Sequence, residues 1–240
     1  MHFLVNLAKT GLLMKRLFSI IAATTLSIGA LAQGQPVDLG LSVKWASCNV
    51  GAKEPYETGT LFAWGETAPK PTYSFSNYRW GLLNEWNGLT KYNTKPERGP
   101  VDGKQILDDA DDAATVQCGP KWRTPSWPER EELLTQCRWE WKTVHGVPGY
   151  EVTSSANGNS IFLPATGYMM DGNHFRAKEM GFYWTSSLDR DSPTHAYYLS
   201  FSENEIRPNT KGSYYDPSKP ENLESRHFGF AVRPILNEQY

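Results

Sequence analysis

The chain has 240 residues, of which 39% are hydrophobic and 21% charged, and its formal net charge is −2. This balance excludes a disordered chain and a membrane protein, and the length suits one large domain or two small ones. Aromatic residues at 13%, with 20 glycines and 16 prolines, favour a loop-rich fold of many short strands.

The first 32 residues have the pattern of a signal peptide. Lys15 and Arg16, after Met14, supply a positive n-region, and the uncharged apolar stretch that follows ends in the cleavage signal A-L-A. This stretch is shorter than the about 20 residues that span a membrane. We therefore predict export with cleavage after Ala32, Met14 as the start, and no transmembrane anchor after cleavage. A buried helix is the alternative.

Cleavage changes the charge of the chain. It removes Lys9, Lys15 and Arg16 and no acidic residue, which takes the formal net charge from −2 to −5. A negative protein is a poor partner for nucleic acid or an anionic membrane surface, whereas neutral ligands such as glycans stay open. The expected location is the periplasm, the cell surface or the extracellular space.

The mature chain begins with a short polar linker, residues 33–36, and we predict a single domain over residues 37–240. The segment 37–50 indicates one or two initial strands, and an apolar run ends at Trp64. Residues 67–103 are rich in Pro, Asn, Gly, Tyr and Trp and have no clear period. Long irregular segments of this kind are usually functional or disordered, and the aromatic residues favour order.

Two helices are predicted next. The first covers Asp108 to Val116, with its carboxylates in the first turn, where the helix dipole favours them. This acidic run lacks the spacing of a calcium loop, so a solvated helix start is the better interpretation. The second helix begins at Ser126 as N-cap, with Glu129 three residues later as in a capping box. Leu133, Leu134 and Cys137 give its buried face.

The rest of the chain indicates short strands between polar loops. They are predicted in the phrases WEWKTV, GYEVTS, NSIFLPATGY, GFYWTSS, HAYYLSF and FGFAVRPI. Asn157-Gly158 is the residue pair favoured in a type I′ hairpin turn.

Three cysteines, Cys48, Cys118 and Cys137, remain after cleavage. Export permits disulfides, and an odd number allows at most one bridge within the chain. The candidate pair is Cys118 with Cys137, although sequence does not fix connectivity. Three small buried thiols are the alternative.

No catalytic, metal or cofactor motif is visible. The histidines are scattered and form no close ligand pair, and the chain lacks a P-loop, a dinucleotide fingerprint and a nucleophile elbow. Tryptophan is the unusual residue, with nine copies. Trp45, Trp64, Trp122 and Trp184 lie in apolar runs and are predicted core residues. The better surface candidates lie in or beside polar loops: Trp80, Trp86, Tyr197, Tyr198, Tyr214 and Tyr215.

Several phrases together resemble one pair of families. KWRTPSWPEREELL, NGNSIFLPATGY, GFYWTSS and the closing RHFGFAVRPI are similar, in this order, to the FISUMP (Fibrobacter succinogenes major paralogous) and DUF1566 domains. LSVKWASCNVGA and FAWGE resemble the N-terminal part of Bacteroidetes members. The resemblance spans about Val37 to Ile235.

The resemblance implies an α+β, C-type-lectin-like fold. Two helices would pack on a twisted antiparallel sheet with long irregular loops, and the termini would lie close together. It also implies structural roles for Trp122, Arg123 and Arg233. The chain departs from functional members of the fold, because the calcium–sugar motifs of C-type lectins are absent. The cysteine pair of formylglycine-generating enzyme and the histidine triad of sulfoxide synthases are missing too, so fold analogy licenses no activity.

These observations favour an exported module that binds a glycan or protein ligand. The alternatives are an enzyme of the formylglycine-generating kind with an unrecognised site, and a structural subunit of a surface filament. An enzyme would show a concave site with perturbed titratable groups, and a binder would show an exposed aromatic and polar patch. A filament subunit would show an open sheet edge or a donor strand.

The binding face is predicted on the loops between Gly167 and Arg226. Polar loops there join strand-like runs, and the resemblance places the variable residues of diversified receptors in this stretch. Tyr197 and Tyr198 would point to opposite faces of a strand, so Tyr197 facing the core is an alternative, as is a merely solvated loop set. The candidate ligand contacts are His174, Phe175, Arg176, Asp189, Asp191, Tyr197, Tyr215 and Arg226.

Overall fold

The computed structural model describes residues 34–82, 88–208 and 226–237. The predicted signal peptide, Trp86, Tyr214 and Tyr215 lie outside these residues. The strands are β1 (Pro36–Val37), β2 (Trp45–Ala46), β3 (Trp122–Arg123), β4 (Cys137–Val144), β5 (Val147–Ser154), β6 (Ser160–Pro164), β7 (Tyr168–Met170), β8 (Asn173–Phe175), β9 (Met180–Leu188), β10 (Ala196–Ser202), β11 (Glu205–Pro208) and β12 (Ile235–Leu236). The α-helices in this part of the chain are α1 (Ala113–Cys118) and α2 (Trp127–Gln136).

The strands form antiparallel sheets, so the α+β class is confirmed. One sheet has the order β4-β5-β6 and a second the order β11-β10-β9. A four-stranded sheet has the order β1-β2-β12-β3, which places the first and last strands of the described domain in one sheet. The β7–β8 hairpin completes the set.

Helix α2 begins as predicted. The capping box is present, because the Ser126 and Glu129 side chains each bind the other's backbone amide. Leu133 is fully buried, as the helical spacing indicated. Cys137 packs against the same core but is the first residue of β4.

The predicted helix from Asp108 to Val116 is partly wrong. The segment opens with a 3₁₀ turn, Asp109–Asp111, and the helix starts only after Asp112. The carboxylate of Asp112 accepts hydrogen bonds from the backbone amides of Ala114 and Thr115. Asp112 is therefore the N-cap of α1 and not a residue inside a longer helix. Asp111 and Asp112 are buried, so the acidic run is not a solvated helix start.

The type I′ turn lies at a different position from the predicted one. His145 (φ 51°) and Gly146 (φ 76°) close the β4–β5 hairpin with two positive φ values. Asn157 and Gly158 lie in a longer loop, residues 155–159. The hydroxyl of Ser154 shapes this loop, because it accepts hydrogen bonds from the backbone amides of Ala156 and Asn157. This side-chain turn widens the connection between β5 and β6.

Strand β9 is buried on both faces and separates two apolar clusters. Tyr183 contributes to the cluster under the β4–β5–β6 sheet, whereas Phe182 and Trp184 point into the other. The closing segment runs beside it, since Trp184 donates its amide to the carbonyl of Ala231. All four predicted core tryptophans are buried: Trp45, Trp64, Trp122 and Trp184.

The two arginines that were predicted to be structural, Arg123 and Arg233, have different environments. Arg233 is 1% exposed and donates to Asn49 Oδ1 and to the carbonyls of Ala46, Ser47 and Phe162. Arg123 is half-buried, and both of its Nη atoms donate hydrogen bonds to the carboxylate of Glu129. This bidentate pair holds the Glu129 side chain in place for the capping box.

The proposed disulfide is not formed, because Cys48, Cys118 and Cys137 are all thiols. Cys118 ends α1 and packs against the cluster around Trp184, whereas Cys137 packs against the cluster around Val152. The two sulfurs therefore belong to different parts of the core.

Candidate functional site

The predicted ligand contacts divide between the two ends of β9. The β7–β8 hairpin, with His174, Phe175 and Arg176, attaches at Met180, because the amide of Gly167 donates to its carbonyl. The loop with Asp189 and Asp191 follows the other end of the strand, at Leu188. A strand of this length separates its ends by roughly 26 Å. The two groups of predicted contacts therefore lie at opposite ends of β9.

Arg226 requires a correction, because it is not on the surface. Its side chain is fully buried, and Nη1 donates to the carbonyls of Tyr92 (2.8 Å) and Pro193 (3.0 Å). The guanidinium also lies over the rings of Trp64 and Tyr78, at 5.1 and 5.3 Å from their centroids. Arg226 thus ties loops together from within and does not contact a ligand in this arrangement.

The hairpin uses its polar groups for its own structure. His174 Nε2 lies 2.8 Å from the carbonyl oxygen of Thr166. Phe175 stacks on Tyr168, with ring centroids 5.3 Å apart. Arg176 has a positive φ of 55° and pairs with Glu179 at 3.0 Å. His174 and Arg176 are exposed at this end of β9, although each has a partner within the hairpin region.

The loop after β9 is organised by Asp189. Its Oδ1 accepts hydrogen bonds from the backbone amides of Asp191 (3.0 Å) and Ser192 (3.2 Å), and Asp189 is 9% exposed. This turn leaves Asp191 exposed. Burial raises the pKa of the Tyr197 hydroxyl, and the negative charges of Asp189 and Asp191 raise it further.

Tyr197 is half-buried and Tyr198 is 1% exposed, so they lie on opposite faces of β10 as strand alternation predicted. The prediction of Tyr198 as a surface residue was wrong, because its ring packs in the core. Sequence reasoning missed the aromatic partner of Tyr197, which is Trp127. The two ring centroids lie 4.2 Å apart at an interplanar angle of 47°. Trp127 is the first residue of α2, and its amide donates to Ser187 Oγ at 3.0 Å. The available signal was a tryptophan in a polar helix start, where a core role is unusual.

We call Trp127, Tyr197, Asp189 and Asp191 the acidic aromatic patch. Ile106, which is 52% exposed, extends it, because its backbone bridges to Ser187 beside Trp127. The patch combines two half-buried rings with the exposed carboxylate of Asp191 and the buried carboxylate of Asp189 at one end of β9. Rings supply a flat apolar surface, and carboxylates accept hydrogen bonds from a polar ligand.

Ser192 and His195 form the closest approach to a nucleophile and base in the described chain. Ser192 Oγ lies 2.8 Å from His195 Nδ1, and Thr194 Oγ1 lies 3.0 Å from the same atom. Burial lowers the pKa of His195, and Asp189 opposes this effect. The nearby Oδ1 of Asp189 accepts hydrogen bonds from backbone amides and stabilises a turn. The Ser192–His195 pair therefore lacks the carboxylate that orients the histidine in a catalytic triad.

The cysteines do not form a reactive pair either. Burial raises the pKa of Cys118 to about 11, with a further contribution from Asp112, and burial also raises the pKa of Cys137. Both sulfurs are therefore protonated at neutral pH, which is the unreactive form. Within residues 34–82, 88–208 and 226–237, no three His, Cys, Asp or Glu side chains are grouped to hold a metal ion.

Comparisons of the chain with protein-family models, curated proteins and solved structures gave no match. None of the helices in the described part of the chain is long and apolar enough to cross a membrane.

Proposed function

We propose that this chain is an exported binding module of C-type-lectin-like fold that recognises a glycan through the acidic aromatic patch. The observation that carries the proposal is the Trp127–Tyr197 ring pair, 4.2 Å apart, together with the exposed carboxylate of Asp191, whose charge acts on Tyr197. Sugars present C–H faces that stack on aromatic rings and hydroxyls that donate to carboxylates. The patch offers both kinds of contact at one place.

The architecture supports this use of the fold. The patch residues lie on a loop, a helix start and a strand that are anchored to a buried scaffold, which is where recognition residues concentrate. Ser187 in β9 binds the amide of Trp127, and Asp189 continues from the same strand. The ordered phrases of the FISUMP and DUF1566 type, and the terminal strands in one sheet, support the C-type-lectin-like fold.

Export rests on the N-terminal pattern of basic residues, apolar stretch and A-L-A. It fits a partner outside the cytoplasm, at the cell surface or in the periplasm. The enzyme alternative has less support, because the Ser192–His195 pair lacks an orienting acid and the thiols are protonated.

The test is a glycan array probed with the labelled protein, together with a pull-down from envelope extracts. We expect binding to a restricted set of glycans that share a sugar type. Binding only to proteins in the pull-down, with a blank array, would replace the glycan by a protein ligand. No binding in either experiment contradicts the proposal.

A further inference from the structure

Strand β4 is the outer strand of the β4-β5-β6 sheet. It pairs with β5 without a bulge over all eight of its residues, and it contains neither proline nor glycine. Among the described residues, the backbone of residues 138–144 bonds to no element other than β5. A long, regular edge of this kind presents amides and carbonyls that can pair with a further strand.

The other sheet edges in the described part of the chain are short, end in proline or are covered. Strands β1, β3, β7 and β8 have two or three residues each. Strand β6 ends at Pro164 and β11 at Pro208. The free side of β9 is covered by the closing segment, because Ala231 exchanges backbone bonds with Phe182 and Trp184. These are the usual ways to protect an edge from pairing, and β4 uses none of them.

The β4–β5 hairpin determines which backbone groups of β4 face outwards. Val144 and Val147 flank the two-residue turn and form a hydrogen-bonded pair, so every second pair along the strands is of this kind. The β6 side agrees, since Pro148, which lies opposite Thr143, accepts the amide of Ala165 instead of bonding to β4. The backbone groups that point away from the sheet are therefore those of Trp139, Trp141 and Thr143.

The side chains of β4 divide between its two faces. Trp139 and Trp141 face the core, where both rings pack edge-on against that of Tyr150. A row of like charges on the other face would repel a second copy of the strand. The charges on this face instead alternate in sign along the strand: Arg138, Glu140 and Lys142.

An antiparallel edge can pair with its own copy about a two-fold axis. With Trp141 on this axis, the outward groups of Trp139 meet those of Thr143, and residues 138–144 of the two copies overlap. Glu140 of each copy then lies directly opposite Lys142 of the other. Opposite charges in directly opposed positions stabilise a strand pair, so this register is complementary at both symmetry-related places.

The neighbouring registers lack this match. A shift by one step in either direction places a charge opposite its own copy, which is Glu140 in one case and Lys142 in the other. A register with Trp139 on the axis pairs Arg138 with Glu140. It also lays the β4–β5 turn of one copy along residues 132–133 of the other, which are inside α2. The register centred on Trp141 keeps the partner clear of the helix.

We propose that two copies of this chain associate through β4, with Trp141 on the two-fold axis, and join their β4-β5-β6 sheets into one continuous sheet. The contact uses the same surface of both copies, so it closes at a dimer and does not propagate into a filament. One strand from each copy makes a narrow interface, so the association is weak and concentration-dependent. The acidic aromatic patch stays free, because β4 follows the end of α2 opposite to Trp127.

The first test is sedimentation velocity of the purified protein at concentrations from about 1 μM to about 1 mM, a range that covers weak association. We expect a reversible monomer–dimer equilibrium. Glu140→Lys and Lys142→Glu each place like charges opposite one another, so each variant alone should dimerise about tenfold more weakly or worse. An equal mixture of the two should recover the dimer, because every lysine of one variant then faces a glutamate of the other.

The backbone contact is tested at the exposed residue Thr143. Thr143→Pro removes an amide that faces away from β5, which an edge strand tolerates, and should weaken the dimer strongly. Thr143→Val keeps the amide and is the matched control, which should dimerise like the wild type. Circular dichroism and Tm show whether each variant is folded, and the charge mixture decides the matter if the proline variant is not.

Three results would overturn the proposal. The first is a wild-type protein that stays monomeric over the whole concentration range. The second is a dimer that neither charge variant weakens, since the copies would then meet through another surface. The third is a mixture of the two charge variants that dimerises no better than each variant alone, because the register centred on Trp141 requires recovery.

Discussion

Arg233 Nε donates a 2.8 Å hydrogen bond to the side-chain oxygen of Asn49, 184 residues earlier in the chain. Both residues are buried, and Asn49 in turn donates to the carbonyl of Thr58 at 2.9 Å. The pair joins the beginning and the end of the domain. The stability of the domain should therefore depend on the planar guanidinium of Arg233, which donates hydrogen bonds in several directions at once.

Arg233→Lys should strongly destabilise the protein. A lysine has one donor group and cannot satisfy the acceptors of Asn49 and Phe162 together, so buried oxygens are left without partners. We expect the free energy of unfolding in urea to fall by roughly 3 kcal/mol. The same substitution at exposed Arg138 should cost little, and equal effects at the two positions would contradict the structural role of Arg233.

Glu129→Gln should change stability in a pH-dependent way. Hydrogen bonds from Arg123 and Ser126 lower the pKa of the Glu129 carboxyl in the folded state, against an opposing effect of burial. The stabilisation from this charge is present above the unfolded pKa, about 4.3, and is lost as pH falls through the folded value. The wild type should be more stable than the variant at pH 7, and the difference should shrink towards pH 3. A constant difference across this range in urea unfolding would be inconsistent with this explanation.

His227→Phe should remove part of the acid sensitivity of the fold. Burial lowers the pKa of His227 to about 4, with added repulsion from Lys70 and His195. At pH values between about 4 and the ordinary histidine pKa of about 6.5, His227 binds a proton in the unfolded chain but not in the folded chain. Wild-type stability should decline from pH 7 to pH 4, and the variant should decline less. Parallel profiles would show that His227 is not responsible.

Local signals in the sequence predicted local structure well. The Ser126–Glu129 capping box was visible because its two residues are three positions apart and bind each other's backbone. Five of the six predicted strands of the second half and the four core tryptophans were visible in the same way, from alternation and apolar runs. The sixth, FGFAVRPI, was wrong, because it forms isolated bridges before β12 begins at Ile235. The Asp112 cap and the Ser154 turn were missed, because a polar side chain selected a local alternative to the regular element.

The site depended on distant residues and was less visible. Trp127 and Tyr197 meet only because Ser187 in β9 holds the start of α2. Arg226 resembled a surface charge, since nothing in its neighbours predicts carbonyl partners at Tyr92 and Pro193. Sequence could group Asp189, Asp191 and Tyr197 because the turn that joins them is short, and their role in binding stays a prediction.

The most direct test of the proposed function is the Kd of one array-identified glycan, measured by calorimetry for the wild type and three variants of equal thermal stability. We predict that Tyr197→Ala and Asp191→Asn each weaken binding about tenfold or more, equivalent to about 1.4 kcal/mol. Phe175→Ala, at the other end of β9, should leave the Kd unchanged. A loss of binding in Phe175→Ala, with both patch variants unaffected, would contradict this account and place the glycan site on the β7–β8 hairpin.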